Sequence, residues 1–318
     1  MLYQRLGQAG VKVSRLSFGS WVTFSNQVDL KLAENCMAAA FEYGINFFDN
    51  AEVYAGGKSE EIMGAVIQKL KWPRMKYMTS TKFFWGITDG PNERNTLNRK
   101  YLMHGIQGSL KRFNTEYFDL VYCHRPDPET PMEEIVWAMH DMVDRGYALY
   151  WGTSEWGAEQ ILEAYAVAEK YNLRKPVVEQ PQYNLFNRDK VEREFLPVYE
   201  QHQMGLTTWS PLASGVLTGK YLNGQIPEGS RLSLKSMGWL KDEALNSRAT
   251  KRVEKFVTVA KDLSCDPAAL AIAWCLKNKN VSSVITGATN VDQIHKNMKA
   301  LDVLPKLTDE VMTVLNQI

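Results

Sequence analysis

Short apolar runs recur along the chain at Leu16–Ser20, Ile45–Phe48, Tyr77–Thr81, Phe118–Cys123, Ala148–Gly152, Pro176–Glu179, Leu206–Trp209 and Val281–Thr286. Between most of them the apolar positions switch to helical spacing. Ala33–Tyr43 and Ala158–Tyr171 are such stretches, and Met132–Arg145 is another, opened by Pro131. Ser59–Leu70 gathers Ile62, Val66, Ile67 and Leu70 on one face. Strands that alternate with helices in this way predict a closed parallel (β/α)8 TIM barrel. The competing architecture, a doubly wound open sheet, calls for a glycine fingerprint after an early strand, and no GxGxxG stands there.

Two segments fall outside the alternation. "YQRLGQAGVKV" reads as a short N-terminal β-hairpin turning at Gln8–Gly10. Gly219–Ser247, with turns marked by "NGQIPEGS", reads as an extended loop after strand seven. No break in composition suggests a linker, so residues 1–318 are expected to form a single barrel domain.

Composition narrows the classes of function. With 318 residues, 45% hydrophobic, 23% charged and a formal net charge of +1, the chain has ordinary globular composition. The balanced charge speaks against nucleic acid or an anionic membrane as the main partner. No apolar run reaches membrane-spanning length, so no membrane insertion is expected. The opening "MLYQRLGQAG" lacks the charged-then-apolar pattern of a secretory signal. Cys36, Cys123, Cys265 and Cys275 lie far apart with no CxxC pair, which suits reduced thiols, a cytoplasmic setting and no metal site.

In such barrels the chemistry sits at the C-terminal ends of the strands. The residues there are Asp49 and Tyr54 after strand two, Lys82 after strand three and His124 after strand four. Ser154, Gln180, Trp209 with Ser210, and Gly287 follow strands five to eight. Singly each has an ordinary explanation: a cap, a rim residue, a core aromatic. Jointly they place polar or aromatic groups on one rim. A lysine ammonium beside a phenol favours the phenolate, so Lys82 is expected to lower the Tyr54 pKa. Asp49 would keep that lysine charged, and His124 would hydrogen-bond beside the phenol. The result is a proton-transfer device with no redox group of its own. A hydride transfer would require a nicotinamide, with Trp209 as a stacking face and Ser154 and Gln180 on its carboxamide.

The stretches "FFDNAEVYAGGKSE", "TSTKFFWG", "RPDPETPMEE", "YWGTSEW", "TWSPLASGVLTGKY" and "SSVITGATNVDQIHKN" resemble the aldo-keto reductases. Within that family they are most similar to the group containing the beta subunits of voltage-gated potassium channels. The resemblance, which runs from Tyr3 to near Leu304, implies a (β/α)8 barrel, NADP(H) as cofactor and reduction of a small carbonyl substrate to an alcohol. It makes Tyr54 the proton donor, Lys82 and Asp49 its tuning pair, and His124 the carbonyl-orienting group. Cofactor contacts fall on Ser20, Trp21, Gln27, Asp49, Ser154, Gln180, Trp209, Ser210, Pro211, Leu212 and Ala213. Further contacts fall on Lys220, Arg231, Gly287, Thr289, Gln293 and Asn297. Lys220 and Arg231 are the natural phosphate anchors, helped by the N-terminus of a helix beginning near Asn290. Trp21, Trp85 and His124, with Trp156, are expected to rim the substrate pocket.

The channel subunits resembled carry Asn where this chain has His124, the usual residue in active reductases, which favours a working enzyme. Glu155 replaces a basic residue and Lys296 an acidic one, changes read as bearing on the adenosine end of the cofactor. The alternative function is a nicotinamide-redox-sensing regulatory subunit of a membrane channel. Because the sequence opens directly at the barrel, the long N-terminal inactivating segment of some channel subunits is not expected here. A cofactor-free lyase or isomerase using Tyr54 and Lys82 is a third class. The resemblance also offers a homotetramer as the assembly.

Overall fold

The structure is a computed structural model that describes residues 1–21, 30–222, 224, 226–228, 230–233 and 247–318. Eight parallel strands close into a barrel: β3 (Leu16–Gly19), β4 (Phe47–Asp49), β5 (Met78–Phe83), β6 (Phe118–Cys123), β7 (Ala148–Thr153), β8 (Val178–Glu179), β9 (Gly205–Thr208) and β10 (Val281–Thr286). They neighbour one another in chain order. Closure comes from β10, which pairs with β3 at Val284↔Leu16 and with β9 at Val281↔Leu206. The barrel expected from the alternation is the one observed.

Every residue of β5, β6 and β10 is buried, as parallel strands covered on both faces must be. Side chains alternate between two cores. Phe47, Leu120 and Tyr122 point into one cluster with Met78 and Val178, while Phe48, Val121 and Cys123 join the larger cluster under the helices. That outer layer comprises α1 (Leu30–Glu42), α2 (Lys58–Leu70), α3 (Arg99–Phe113), α4 (Met132–Asp144), α5 (Ala158–Lys170), α6 (Leu196–His202), α7 (Ser247–Asp262), α8 (Pro267–Lys277), α9 (Val291–Met298), α10 (Ala300–Val303) and α11 (Asp309–Asn316). Side-chain caps start several of them: Asn98 accepts from Tyr101 N at 2.8 Å, and Asp266 from Ala268 N at 2.8 Å with Pro267 next in line.

The hairpin of β1 (Tyr3–Arg5) and β2 (Lys12–Ser14) pairs Tyr3 with Ser14 and Arg5 with Lys12. Its Leu6 and Val13 enter the inner cluster, so the hairpin stoppers the N-terminal end of the barrel. Ser282 Oγ donates to Arg5 O at 2.9 Å, and the backbone there is packed so tightly that a Cβ on Gly205 would lie 2.4 Å from Gly7 N. The opposite end, at the C-terminal ends of the strands, carries the polar groups of the candidate site.

Strand limits differ from the sequence expectation in ways that affect the site. β4 starts later and includes Asp49, and β5 runs on to Phe83, so Lys82 lies inside a strand rather than after it. β8 is only two residues long. It lies between Pro176 and Pro181, neither of which can donate to a ladder.

Candidate active site

Asp49 ends β4, and Lys82 lies beside it on β5 with no solvent exposure. A buried ammonium requires a partner for each of its three donors. Lys82 Nζ has them: Asp49 Oδ2 at 2.7 Å, the Asn50 carbonyl at 2.7 Å and the Tyr54 hydroxyl oxygen at 3.2 Å. The other carboxylate oxygen of Asp49 accepts from Ser80 Oγ at 2.8 Å and Gln180 Nε2 at 3.0 Å. Burial disfavours the charged lysine, yet Asp49 and the phenol outweigh it and hold the Lys82 pKa above its ordinary value.

Tyr54 is brought to this lysine by a tight turn. Ala55, Gly56 and Gly57 all have positive φ (53°, 62° and 91°), which folds the chain back into α2. At Gly57 a Cβ would also lie 2.7 Å from Arg112 Cδ, so a side chain there would have to displace the arginine. The lysine donates to the phenol oxygen, which leaves the phenol's own proton outside that bond. The expected lowering of the Tyr54 pKa is not what the site produces. Desolvation of the hydroxyl is the larger influence, and Tyr54 is raised above its ordinary value although Lys82 pulls it down.

His124 is nearly buried at the end of β6, its ring centroid 5.9 Å from Tyr54 and 6.4 Å from Trp85. Desolvation, then the nearby charges of Lys82 and Arg125, depress its pKa well below the usual value. It is therefore a neutral imidazole at physiological pH, and its buried Nδ1 has no hydrogen-bond partner among the described residues. The four catalytic candidates Asp49, Tyr54, Lys82 and His124 thus meet at one place.

Ser20 and Ser154 are buried beside this cluster. Ser20 Oγ donates to Asp49 O at 3.2 Å, and Ser154 Oγ to Gln180 O at 2.9 Å. Trp209 and Trp21 meet edge to face with centroids 6.0 Å apart. From Ser210 through Pro211, Leu212 and Ala213 the chain enters a left-handed segment, with φ of 58° at Ser210, 45° at Ala213, 58° at Ser214 and 92° at Gly215. Lys220 is exposed and bends back over it: its Nζ lies 2.9 Å from where a Cβ on Gly215 would be. After the adjacent strand β10, Gly287 is exposed, Thr289 N donates to Gln293 Oε1 at 2.9 Å, and Asn290 caps α9 by accepting from Gln293 N at 3.0 Å. Asn297 Nδ2 reaches Gly287 O at 3.5 Å. Gln27 lies outside the described residues, as does the side chain of Arg231. Trp85 is 36% exposed on the rim, whereas Trp156 is wholly buried in the outer core and does not rim the mouth.

Two contributors were not singled out from the sequence. Ser80 stands two residues before Lys82, hence on the same face of β5, and that spacing was the available signal. Thr207 accepts from Gln180 Nε2 at 3.4 Å and pairs with the Tyr122 hydroxyl at 2.8 Å, which continues the polar network through the barrel interior. Glu155, noted in the sequence for its change of charge, accepts from the Trp209 indole N–H at 2.9 Å.

A closed (β/α)8 barrel with a buried acid–lysine–phenol cluster at its open mouth belongs to the class of barrel enzymes. Residues 15–318 match the Aldo/keto reductase family, and the chain belongs to that family, which supports an oxidoreductase. It is 54% identical over 312 residues to a protein of Oryza sativa subsp. japonica named probable voltage-gated potassium channel subunit beta, covering 98% of this chain and 94% of that protein. An Arabidopsis thaliana protein of the same name is 53% identical over 318 residues, covering 100% of this chain and 96% of its own length. Among the described residues no helix is long and apolar enough to cross a membrane, and no cluster of three or more metal-ligating side chains occurs.

Proposed function

We propose that the chain is an NADP(H)-dependent reductase of aldehydes or ketones. The observation that carries this reading is Lys82 Nζ held 2.7 Å from Asp49 and 3.2 Å from the Tyr54 hydroxyl inside a desolvated pocket. Bound NADPH would supply the hydride that the cluster lacks. The substrate carbonyl oxygen takes the phenol proton from Tyr54 as the carbon is reduced, and an alcohol leaves. The raised Tyr54 pKa keeps that proton in place at neutral pH, and the adjacent ammonium stabilises the phenolate left behind. Neutral His124 has one N–H with which to orient the carbonyl.

The residues present suit a dinucleotide. The tight turns at Ser210 and Ala213–Gly215 lie beside the exposed ammonium of Lys220, which would pair with a phosphate by charge-assisted hydrogen bonds. The start of α9, with Gly287, Thr289, Gln293 and Asn297 around it, offers a second anion-binding end. Ser20, Ser154 and Gln180 offer hydrogen bonds to a carboxamide, and Trp209 with Trp21 offers aromatic faces. Gln27 and Arg231 complete the cofactor contacts that the family resemblance implies. Trp21, Trp85 and His124 would face the substrate, favouring aromatic or medium-sized apolar carbonyls. The direct experiment follows reduced-nicotinamide absorbance with NADPH and a panel of aldehydes and ketones. Turnover by wild type and its loss in Tyr54→Phe is the expected result; no turnover on any of them refutes the reading.

A second reading rests on the names of the two plant relatives: a regulatory subunit that reports nicotinamide redox state to a membrane channel. Co-purification with a channel cytoplasmic domain, compared with NADPH and NADP⁺ present, tests it. Light scattering of the pure protein tests the homotetramer that accompanies either reading.

A further inference from the structure

The chain places a carboxylate behind the Trp209 indole. Glu155 follows β7 and has a left-handed backbone (φ 60°), uncommon for a side chain of this kind and a recurrent mark of functional loops. That conformation turns both its carbonyl and its carboxylate toward one cation. Lys190 Nζ donates to Glu155 O at 3.1 Å and to Oε2 at 3.2 Å. The other carboxylate oxygen, Oε1, accepts from Trp209 Nε1 at 2.9 Å and from the backbone N–H of Gln182. Gln182 in turn pairs in parallel register with Trp209, whose own N–H donates to Pro181 O at 3.1 Å. Main chain and indole of Trp209 are thereby tied to the same acid.

We infer that Glu155, held by Lys190, is a positioning residue that fixes the plane of the Trp209 indole for stacking on a nicotinamide ring. The inference rests on the proposed use of NADP(H) and specifies how this chain presents one face of that cofactor. An aromatic side chain on a strand end can swing about its two side-chain torsions. A charge-assisted bond to the indole N–H, braced by a lysine, removes that freedom before the cofactor arrives. Both charged side chains are mostly enclosed, at 24% and 22% exposure for Lys190 and Glu155, so solvent competes weakly with the pair. An alternative, purely structural role would have the pair merely pin the loop after β7 to the turn at Lys190.

The two roles separate in a double-mutant cycle. Dissociation constants for NADPH and NADP⁺ are measured by fluorescence titration for wild type, Glu155→Ala, Trp209→Phe and the double variant. A positioning role weakens binding about tenfold in Glu155→Ala, the order expected for a lost charge-assisted bond, and changes it less than about twofold in the Trp209→Phe background, which has no indole N–H to hold. Glu155→Gln, which keeps an acceptor for the indole, recovers most of the affinity. Near-UV circular dichroism without cofactor supplies an independent readout: the Trp209 contribution, wild type minus Trp209→Phe, collapses in Glu155→Ala and persists in Glu155→Gln. Equal losses in both backgrounds, or an unchanged Trp209 contribution, overturn the role of Glu155 while leaving the reductase reading intact. Wild type that binds neither dinucleotide overturns both.

Discussion

The two walls of the mouth are built on opposite principles. On the β4–β5 side, Asp49 and Lys82 are almost entirely sealed, with side-chain exposures of 4% and 0%, and hydrogen bonds from four segments fix them. On the β9–β10 side, Lys220, Gly287 and Gln293 are exposed, and Lys220 pairs with no carboxylate among the described residues. A buried charge pair keeps its geometry whether or not a ligand is bound. A solvated cation acts through long-range attraction that salt attenuates. The first wall is thus suited to handling a proton, the second to capturing a charged ligand and releasing it.

The sharpest way to break that comparison is at the phenol. Tyr54→Phe is expected to lower kcat by roughly 10²–10⁴, the usual reach of a general acid, with NADPH affinity changed less than about twofold. Comparable loss of affinity would show that the sealed wall also does the capturing. Lys82→Met should abolish turnover too and, unlike the tyrosine change, cost about 3–5 kcal/mol of stability, because Asp49 is left buried without its cation. Denaturant melts of Lys82→Met and of Lys82→Met with Asp49→Asn check this; the double variant should regain part of the loss. At the open wall, Lys220→Ala should weaken NADPH about tenfold at low salt and progressively less as salt is raised, with kcat preserved. A salt-independent effect would place that lysine among the sealed groups.

The smallest effect expected is a pH dependence of stability. Glu52, two residues before Tyr54, and Glu179, under the end of β7, are pushed up to about 8, chiefly by burial. Glu52 faces Glu60 and Arg112, which form a 2.7 Å ion pair. A folded-state pKa above the unfolded one means the native chain retains a proton that the unfolded chain has released. The stabilisation is complete below the ordinary carboxyl range and is lost as pH rises toward about 8. His124, depressed in the native state, acts oppositely and costs stability as pH falls below its ordinary value. Melting temperatures of wild type and Glu52→Gln across this range should diverge, with the variant's profile flatter.

Strand count and order were legible because a buried parallel strand leaves an uninterrupted apolar run, as at Phe118–Cys123. The catalytic candidates were legible because each lies at the end of such a run. What escaped was set across the barrel rather than along the chain. Gln180 reaches Asp49 over a sequence separation of 131 residues, and no local pattern announces that bond. The Tyr54 pKa was misjudged for a related reason: the nearby lysine is visible in a motif, whereas the desolvation that outweighs it is created by every element that closes over the hydroxyl. Glu155 was noticed as a change of charge, but its left-handed backbone, which decides what the charge touches, left no sequence signal.

The stoppered hairpin has a kinetic corollary. Leu6 and Val13, both fully buried, set apolar side chains across the far end of the barrel, a poor path for water among the described residues. On the proposed reductase reading, each proton that Tyr54 gives up is replaced through the mouth by which the alcohol departs and the next carbonyl arrives. Refilling the acid and exchanging the reactants would then share one doorway.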